Sequence, residues 1–519
     1  MRKRNKRRSS SSPASGPSVN LTRRQLLAGA GAGAAALFFE SGGVEARQAP
    51  PAARPIVFTH TIVANPDLTQ EDVALAVVGD TIADIGPTDA ILQKYPNADQ
   101  YDGRGKVILP GLVNCHGHLG AVLERGYNED FGFPNSYKLA ASPSSYLQPG
   151  ESTLMVQIAA LESIRSGTTT VVAGSTSGDG PGLIPSGLRC VFLESIRDAE
   201  NMSGPMTLET LRDMKEAPRF SEKLRAEGLQ RINDGYSRWH GKENGRVSVF
   251  PSGGLAESTS LVALKQIRDF ADKHDLGYTL HLSQTTWEND FVRKWQGQGE
   301  SPTQFLARAG FLGPRFFVGH GRYLSDEDIA LLGSNHCIIS HQANMAGNRG
   351  VIPPIAKLRA AGCVIANGTD NNTNDVFQVM RIALVTERVS RTSDIKPGLR
   401  PQPEDMLADA TMGGAAAVNQ EKTIGSLTVG KKADLFVFNY MKPNTVPYGR
   451  IISAIVHCGQ SSDIESTMVD GRFLMRGGKV LTMDEAALVA EADRVGRRVW
   501  RQVVEKSGPI KFPREPRLG

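Results

Sequence analysis

The stretch VILPGLVNCHGHLG, Val107 to Gly120, decides how this chain is read. An apolar, β-branched run meets Pro110-Gly111, and two histidines follow one residue apart, His116 and His118. On an extended backbone, side chains two positions apart point the same way. Both imidazoles can therefore face one cavity and bind one metal ion, and imidazole nitrogen suits zinc and iron. Strand ends are also where a β/α barrel places its chemistry.

Seven further apolar runs follow. They are Thr168–Ser175, Arg189–Ile196, Val247–Pro251, Tyr278–Ser283, Phe316–His320, Cys337–His341 and Cys363–Asp370. Amphipathic segments lie between them, such as Thr153–Ser166, Leu261–His274, Asp326–Gly333 and Ile355–Ala361. Eight strands alternating with helices predict an α/β fold, a (β/α)8 TIM-like barrel. The alternative, a doubly wound open sheet, lacks a glycine-rich phosphate loop.

Short β runs flank the barrel on both sides. Ala74–Gly86 reads as a hairpin turning at Gly79-Asp80, and a helical piece covers Thr88–Tyr95. Ile424–Phe438, Ile451–Val456 and Thr467–Val480 read as more β runs, with a turn at Asp470-Gly471. Both sets are expected to share one small β-sandwich domain built from the two chain ends. The expected divisions are a leader over 1–46, the small domain over 55–108 and 423–482, the barrel over 109–422, and a closing amphipathic helix and tail over 483–519.

The 519 residues suffice for a barrel of about 300 residues and this smaller domain. The net charge of +5 misleads, because residues 1–46 alone hold eight Lys/Arg and two Asp/Glu. The remainder is close to neutral and has no electrostatic footprint for nucleic acid. Arg23-Arg24 precede an apolar run, Leu26–Phe39, too short to span a bilayer comfortably. Val44-Glu45-Ala46 offers small residues for cleavage. The leader thus reads as a twin-arginine signal for export to the periplasm or beyond, with no membrane association after its removal. The five cysteines are odd in number and without a CxxC pair, and most sit in apolar runs, so buried free thiols are expected.

These motifs resemble the amidohydrolase superfamily, in its cytosine-deaminase and triazine-hydrolase branch. The matching segments are PGLVNCHGH, YTLHLSQ, FVGHGRYLSDEDIALLG, ISHQANMAGNRGVIPPIAKLRAAGCVIANGTDNNTND and AVNQEKTIGSLTVGKKADLFVF, spread over about Ile56–Val480. The resemblance implies metal ligands His116, His118, His281 and Asp370. It implies that His320 contacts the attacking water or, as in some members, the metal, and that His341 and Asn344 contact substrate. No lysine ends the presumed fourth strand, where two-metal members carry a bridging one. One divalent transition metal is therefore expected, zinc first and iron second.

The residue types fit hydrolysis. Histidines and one carboxylate leave a coordination position open for water, and Asp370 can accept that water's proton. Deaminases of the branch carry a glutamate three residues after the fifth-strand histidine. Here that position is Gln284, an amide that hydrogen-bonds but cannot titrate. Gln284 is expected to bind substrate. Glu288, one helical turn on, is either a replacement proton carrier or a solvated charge. The segment Glu129–Pro134 is expected to line the pocket.

The expected activity is metal-dependent hydrolysis of a carbon–nitrogen bond other than a peptide bond, in an amide, cyclic amide or amidine-like small molecule. One alternative keeps the machinery and makes it an aminohydrolase or dechlorinating hydrolase of a nitrogen heterocycle. Another is a non-catalytic barrel relative, which the full ligand set disfavours. The partners expected are a small-molecule substrate and no nucleic acid, with a homo-oligomer left open.

Overall fold

The computed structural model describes residues 54–127, 142–202, 214, 216–371, 373–390 and 399–507. The leader reading over 1–46 and the pocket loop at Glu129–Pro134 lie outside them. Eight parallel strands run in sequential order around the barrel: Leu112–Asn114, Thr168–Ala173, Arg189–Ser195, Val247–Leu255, Tyr278–Leu282, Phe316–His320, Ile338–His341 and Val364–Asn367. The seam between the first and eighth is closed just beyond the strands. There His118 N donates to Asp370 O (3.1 Å) and Asp370 N to His116 O (2.8 Å). Three expected ligands thus stitch the barrel shut with their own backbone.

The outer helices arise from local pattern. In Leu261–His274 the buried residues are Ala263, Leu264, Ile267, Phe270 and Ala271, a stripe at helical spacing. Ser260 caps it by accepting from Ala263 N at 3.1 Å. The closing helix Glu485–Ser507 buries Val495, Val499 and Val503 beside Leu123, Leu154 and Met155. Burying one such side chain is worth roughly 1.5–3 kcal/mol. Trp500 Nε1 then ties this helix to Leu123 O at 2.9 Å.

The first decisive stretch splits between two sheets. Lys106–Pro110 belongs to a nine-stranded sheet and Leu112–Asn114 to the barrel, with Gly111 between. That second sheet joins both chain ends, because Leu435–Asn439 pairs antiparallel with Lys106–Pro110. It is continuous, and its two arms share a core in which the Phe58 and Tyr101 rings lie 6.1 and 6.0 Å from Phe473. One expected β run is corrected: Ile451–Cys458 is a helix. Its buried residues, Ile451, Ile452, Ile455 and Val456, follow helical period despite their β-branching, and packing overrides propensity. Four cysteines are buried free thiols and Cys458 is exposed.

Candidate active site

The barrel's C-terminal mouth collects the expected ligands. The His116 ring lies 5.1 Å from His118, 4.9 Å from His281 and 5.3 Å from His320, centroid to centroid. His118 Nε2 is 3.4 Å from Asp370 Oδ1, and His320 Nδ1 is 3.8 Å from Asp370 Oδ2. Two overlapping groups result, His116–His281–His320 and His116–His118–Asp370, each with its ligand atoms within 4.8 Å of one another.

The donor set fits a divalent metal on this structure's own features. His116 Nε2 is buried and has no protein hydrogen-bond partner. His281 Nδ1 is bound to Gly254 O at 2.7 Å, which fixes that tautomer and leaves Nε2 for the cluster. Burial holds His116, His281 and His320 well below the usual imidazole pKa, so all three are neutral, as ligation requires.

Backbone geometry makes room for this convergence. A Cβ on Gly368 would lie 2.8 Å from His116 Cβ, so the eighth strand can pass the ligand only as glycine. Gly254 has φ +71°, and a Cβ there would meet Arg197 Nε at 2.5 Å. Its carbonyl is the one that orients His281. Ser283, His320 and Asp370 adopt left-handed backbone without being glycine (φ 49°, 81° and 59°). Such residues cluster where tertiary structure holds functional groups in place.

The remaining expected residues spread further. Gln284 is buried directly after the fifth strand. His341 is fully buried, neither ring nitrogen has a protein partner, and burial pushes its pKa down to about 3. It enters neither ligand group. Asn344 is half-buried on the short helix Ala343–Asn348. Cys115 keeps its thiol on Ser340 Oγ (2.9 Å) and Asn367 O (3.0 Å), outside the ligand set.

Glu288 is no solvated charge. It is fully buried and accepts from Ser283 N (2.6 Å) and Gln284 N (2.8 Å), clamping the turn after His281. Burial, and then the neighbouring Glu257, push its pKa well up. Glu257 is likewise buried, with Oε2 unpartnered and its pKa pushed up to about 7 by burial.

Sequence reasoning missed four participants: Glu257, the Gly254 carbonyl, Arg322 and Asp179. Arg322 Nη2 donates to His320 Nδ1 at 3.2 Å. Asp179, within electrostatic reach of His118, accepts from Gly174 N at 2.7 Å, yet burial raises its pKa. The one available signal was that Arg322 stands two residues after His320 on a strand end. The others act through loop contacts that no spacing reveals.

Among the described residues no helix is long and apolar enough to cross a membrane. Residues 107–474 match the model of the Amidohydrolase family, and residues 74–98 match a bacterial imidazolonepropionase-like composite domain. A 5-methylthioadenosine/S-adenosylhomocysteine deaminase from Desulforudis audaxviator is 29% identical over 450 residues, covering 85% of this chain and 97% of its own. A triazine hydrolase variant superposes with a TM-score of 0.74 at 18% identity, covering 86% of this chain and all of its own. A zinc-bound adenosine deaminase from Xanthomonas campestris does so with 0.71 at 21% identity, covering 87% and 100%. The chain belongs to the amidohydrolase family and is a metal-dependent hydrolase of carbon–nitrogen bonds.

Proposed function

We propose that this enzyme cleaves a non-peptide carbon–nitrogen bond of a small amide, cyclic amide or amidine-like substrate with one zinc ion. His116, His118, His281 and Asp370 would hold the ion. The observation that carries the reading is the buried, unpartnered His116 Nε2 amid converging neutral imidazoles and one carboxylate. Zinc in the Xanthomonas deaminase supports zinc over iron.

When bound, the ion supplies a Lewis acid that makes water acidic enough to attack near neutral pH. Asp370 takes the proton from the attacking water at a carboxylate oxygen and passes it to the leaving nitrogen. His320, whose Nδ1 accepts from Arg322, presents Nε2–H to the oxygen that gains charge. Gln284 aligns the substrate through its amide. The buried Glu288 keeps that turn fixed and moves no proton, because each of its oxygens faces a backbone N–H.

Elemental analysis of purified protein is expected to give close to one zinc per chain. Chelation should abolish turnover of simple amides and aminated heterocycles, and zinc should restore it. A reproducible two metals per chain, or activity that survives chelation, defeats the reading. The deaminase names of the relatives favour a second reading, removal of an amino group from a heterocycle. Gln284 stands against it.

Export of the folded enzyme through the twin-arginine leader is proposed on Arg23-Arg24 and the short apolar run behind them. Changing both arginines to lysine should hold the precursor in the cell. Undiminished export of that variant defeats the assignment.

A further inference from the structure

We propose that Arg322 is a specificity residue that binds an anionic group, a carboxylate in the first instance, next to the scissile carbon–nitrogen bond. The proposal rests on the hydrolase reading above and names the substrate class of that same site.

Arg322 follows the sixth barrel strand, Phe316–His320, by two residues, so the fold delivers its side chain to the metal-ligand layer. Its Nη2 lies 3.2 Å from His320 Nδ1. Burial lowers its pKa, and the charge that opposes this most is Asp370. A guanidinium nevertheless remains charged.

What distinguishes Arg322 is that neither a carboxylate nor a backbone carbonyl takes up its guanidinium. Arg189 pairs with Asp434 and Asp470, Arg225 with Asp198 and Arg359 with Asp409, while Arg381 and Arg388 donate to backbone carbonyls. Arg322 has no carboxylate at ion-pair distance among the described residues, and its one hydrogen bond goes to an imidazole. Of the acidic groups within electrostatic reach, Asp370 belongs to the ligand set, and Glu288 is occupied with two backbone N–H groups. A desolvated, unpaired cation is costly. Guanidinium offers five N–H donors in a planar fork matched to carboxylate. One donor is spent on His320, and the rest make no hydrogen bond to the described residues.

The local charge balance points the same way. Position 284 carries a neutral amide, so no acid there offsets Arg322. Arg197, close over Gly254 and opposed only by the buried Glu257, adds a second positive group near the strand ends. An anionic substrate is attracted to this mouth. A neutral one would leave the half-buried Arg322 without a carboxylate partner.

The test uses probes anchored on the metal, so that no knowledge of the substrate is needed. Zinc-loaded full-length enzyme is titrated with succinic monohydroxamate and with its neutral amide, succinamic hydroxamate. Both bear the same metal-binding end, and only the first carries a carboxylate. The wild type is expected to bind the carboxylate probe about tenfold tighter or more, the typical worth of one charge-assisted pair. Arg322→Gln should erase that preference while leaving the neutral probe's affinity and the zinc content unchanged. Arg322→Lys should restore part of it. Equal affinity of the two probes for the wild type, or a preference that persists in Arg322→Gln, overturns the proposal and leaves the hydrolase reading standing. Failure of zinc-loaded enzyme to bind either hydroxamate defeats the hydrolase reading itself, and this proposal with it.

Discussion

The two ends of the barrel bury charge in opposite ways. At the N-terminal end Arg189 donates to Asp434 Oδ2 (2.9 Å) and Oδ1 (3.1 Å) and also reaches Asp470, joining the third barrel strand to the small sheet. Asp470 N closes the circuit on Asp434 Oδ1 at 2.8 Å. At the C-terminal end His116 Nε2 and both nitrogens of His341 are buried without any protein partner, and Arg322 has no carboxylate. Burial of polar atoms is tolerated when they are satisfied and expensive when they are not. The N-terminal cluster, in which only Asp470 Oδ2 is buried without a partner, therefore serves stability. The unsatisfied end is built for something that binds.

Asp370→Asn strikes the unsatisfied end hardest. It removes a proton acceptor and an anionic ligand together, so kcat should fall by about 10²–10⁴-fold, with reduced zinc content by elemental analysis. Urea denaturation of the metal-free protein should move little. Near-wild-type turnover would erase the contrast.

Arg189→Met should behave in the reverse sense. Two buried carboxylates lose their cation, at a cost of about 3–5 kcal/mol read from chemical denaturation. Turnover per folded molecule should be retained. A selective loss of kcat with stability intact would make the N-terminal cluster functional and break the comparison.

Gln284 separates alignment from proton transfer. Gln284→Ala should raise KM roughly tenfold with a smaller change in kcat, as befits a neutral hydrogen bond. Gln284→Glu should gain nothing on amides. A large rise in deamination of aminated heterocycles would promote the deaminase reading.

The smallest effect concerns pH. The folded pKa of Glu257 is about 7, against an ordinary 4.5. The folded protein therefore keeps a proton that the unfolded chain releases above about pH 4.5. The stability this group contributes is full below that pH and drains away as pH rises towards 7. Glu257→Gln should flatten the stability profile in that window, measured by denaturation at a series of pH values. An unchanged slope would mean that Glu257 ionises normally.

Much of this molecule is local information. All eight barrel strands, the stripe of Leu261–His274 and the order His116, His118, His281, His320, Asp370 can be read along the chain, because periodicity and strand-end position are properties of neighbouring residues. Ile451–Cys458 escaped, since a β-branched run declares neither period clearly and only its packing made it a helix. The break inside VILPGLVN escaped as well. Pairing of Lys106–Pro110 with Leu435–Asn439, more than 300 residues away in the chain, decided it.

At the site, residue types and order were set by the sequence itself, which also displayed Gln284 where an acid is usual. Tertiary structure alone decided the protonation and partnership of those residues. It placed Gly254 O on His281, turned Glu288 into a buried clamp, raised Glu257 and left Arg322 unpaired beside His320. The reason is physical: desolvation and hydrogen bonding depend on which distant segments meet in space, and a one-dimensional pattern does not record those distances.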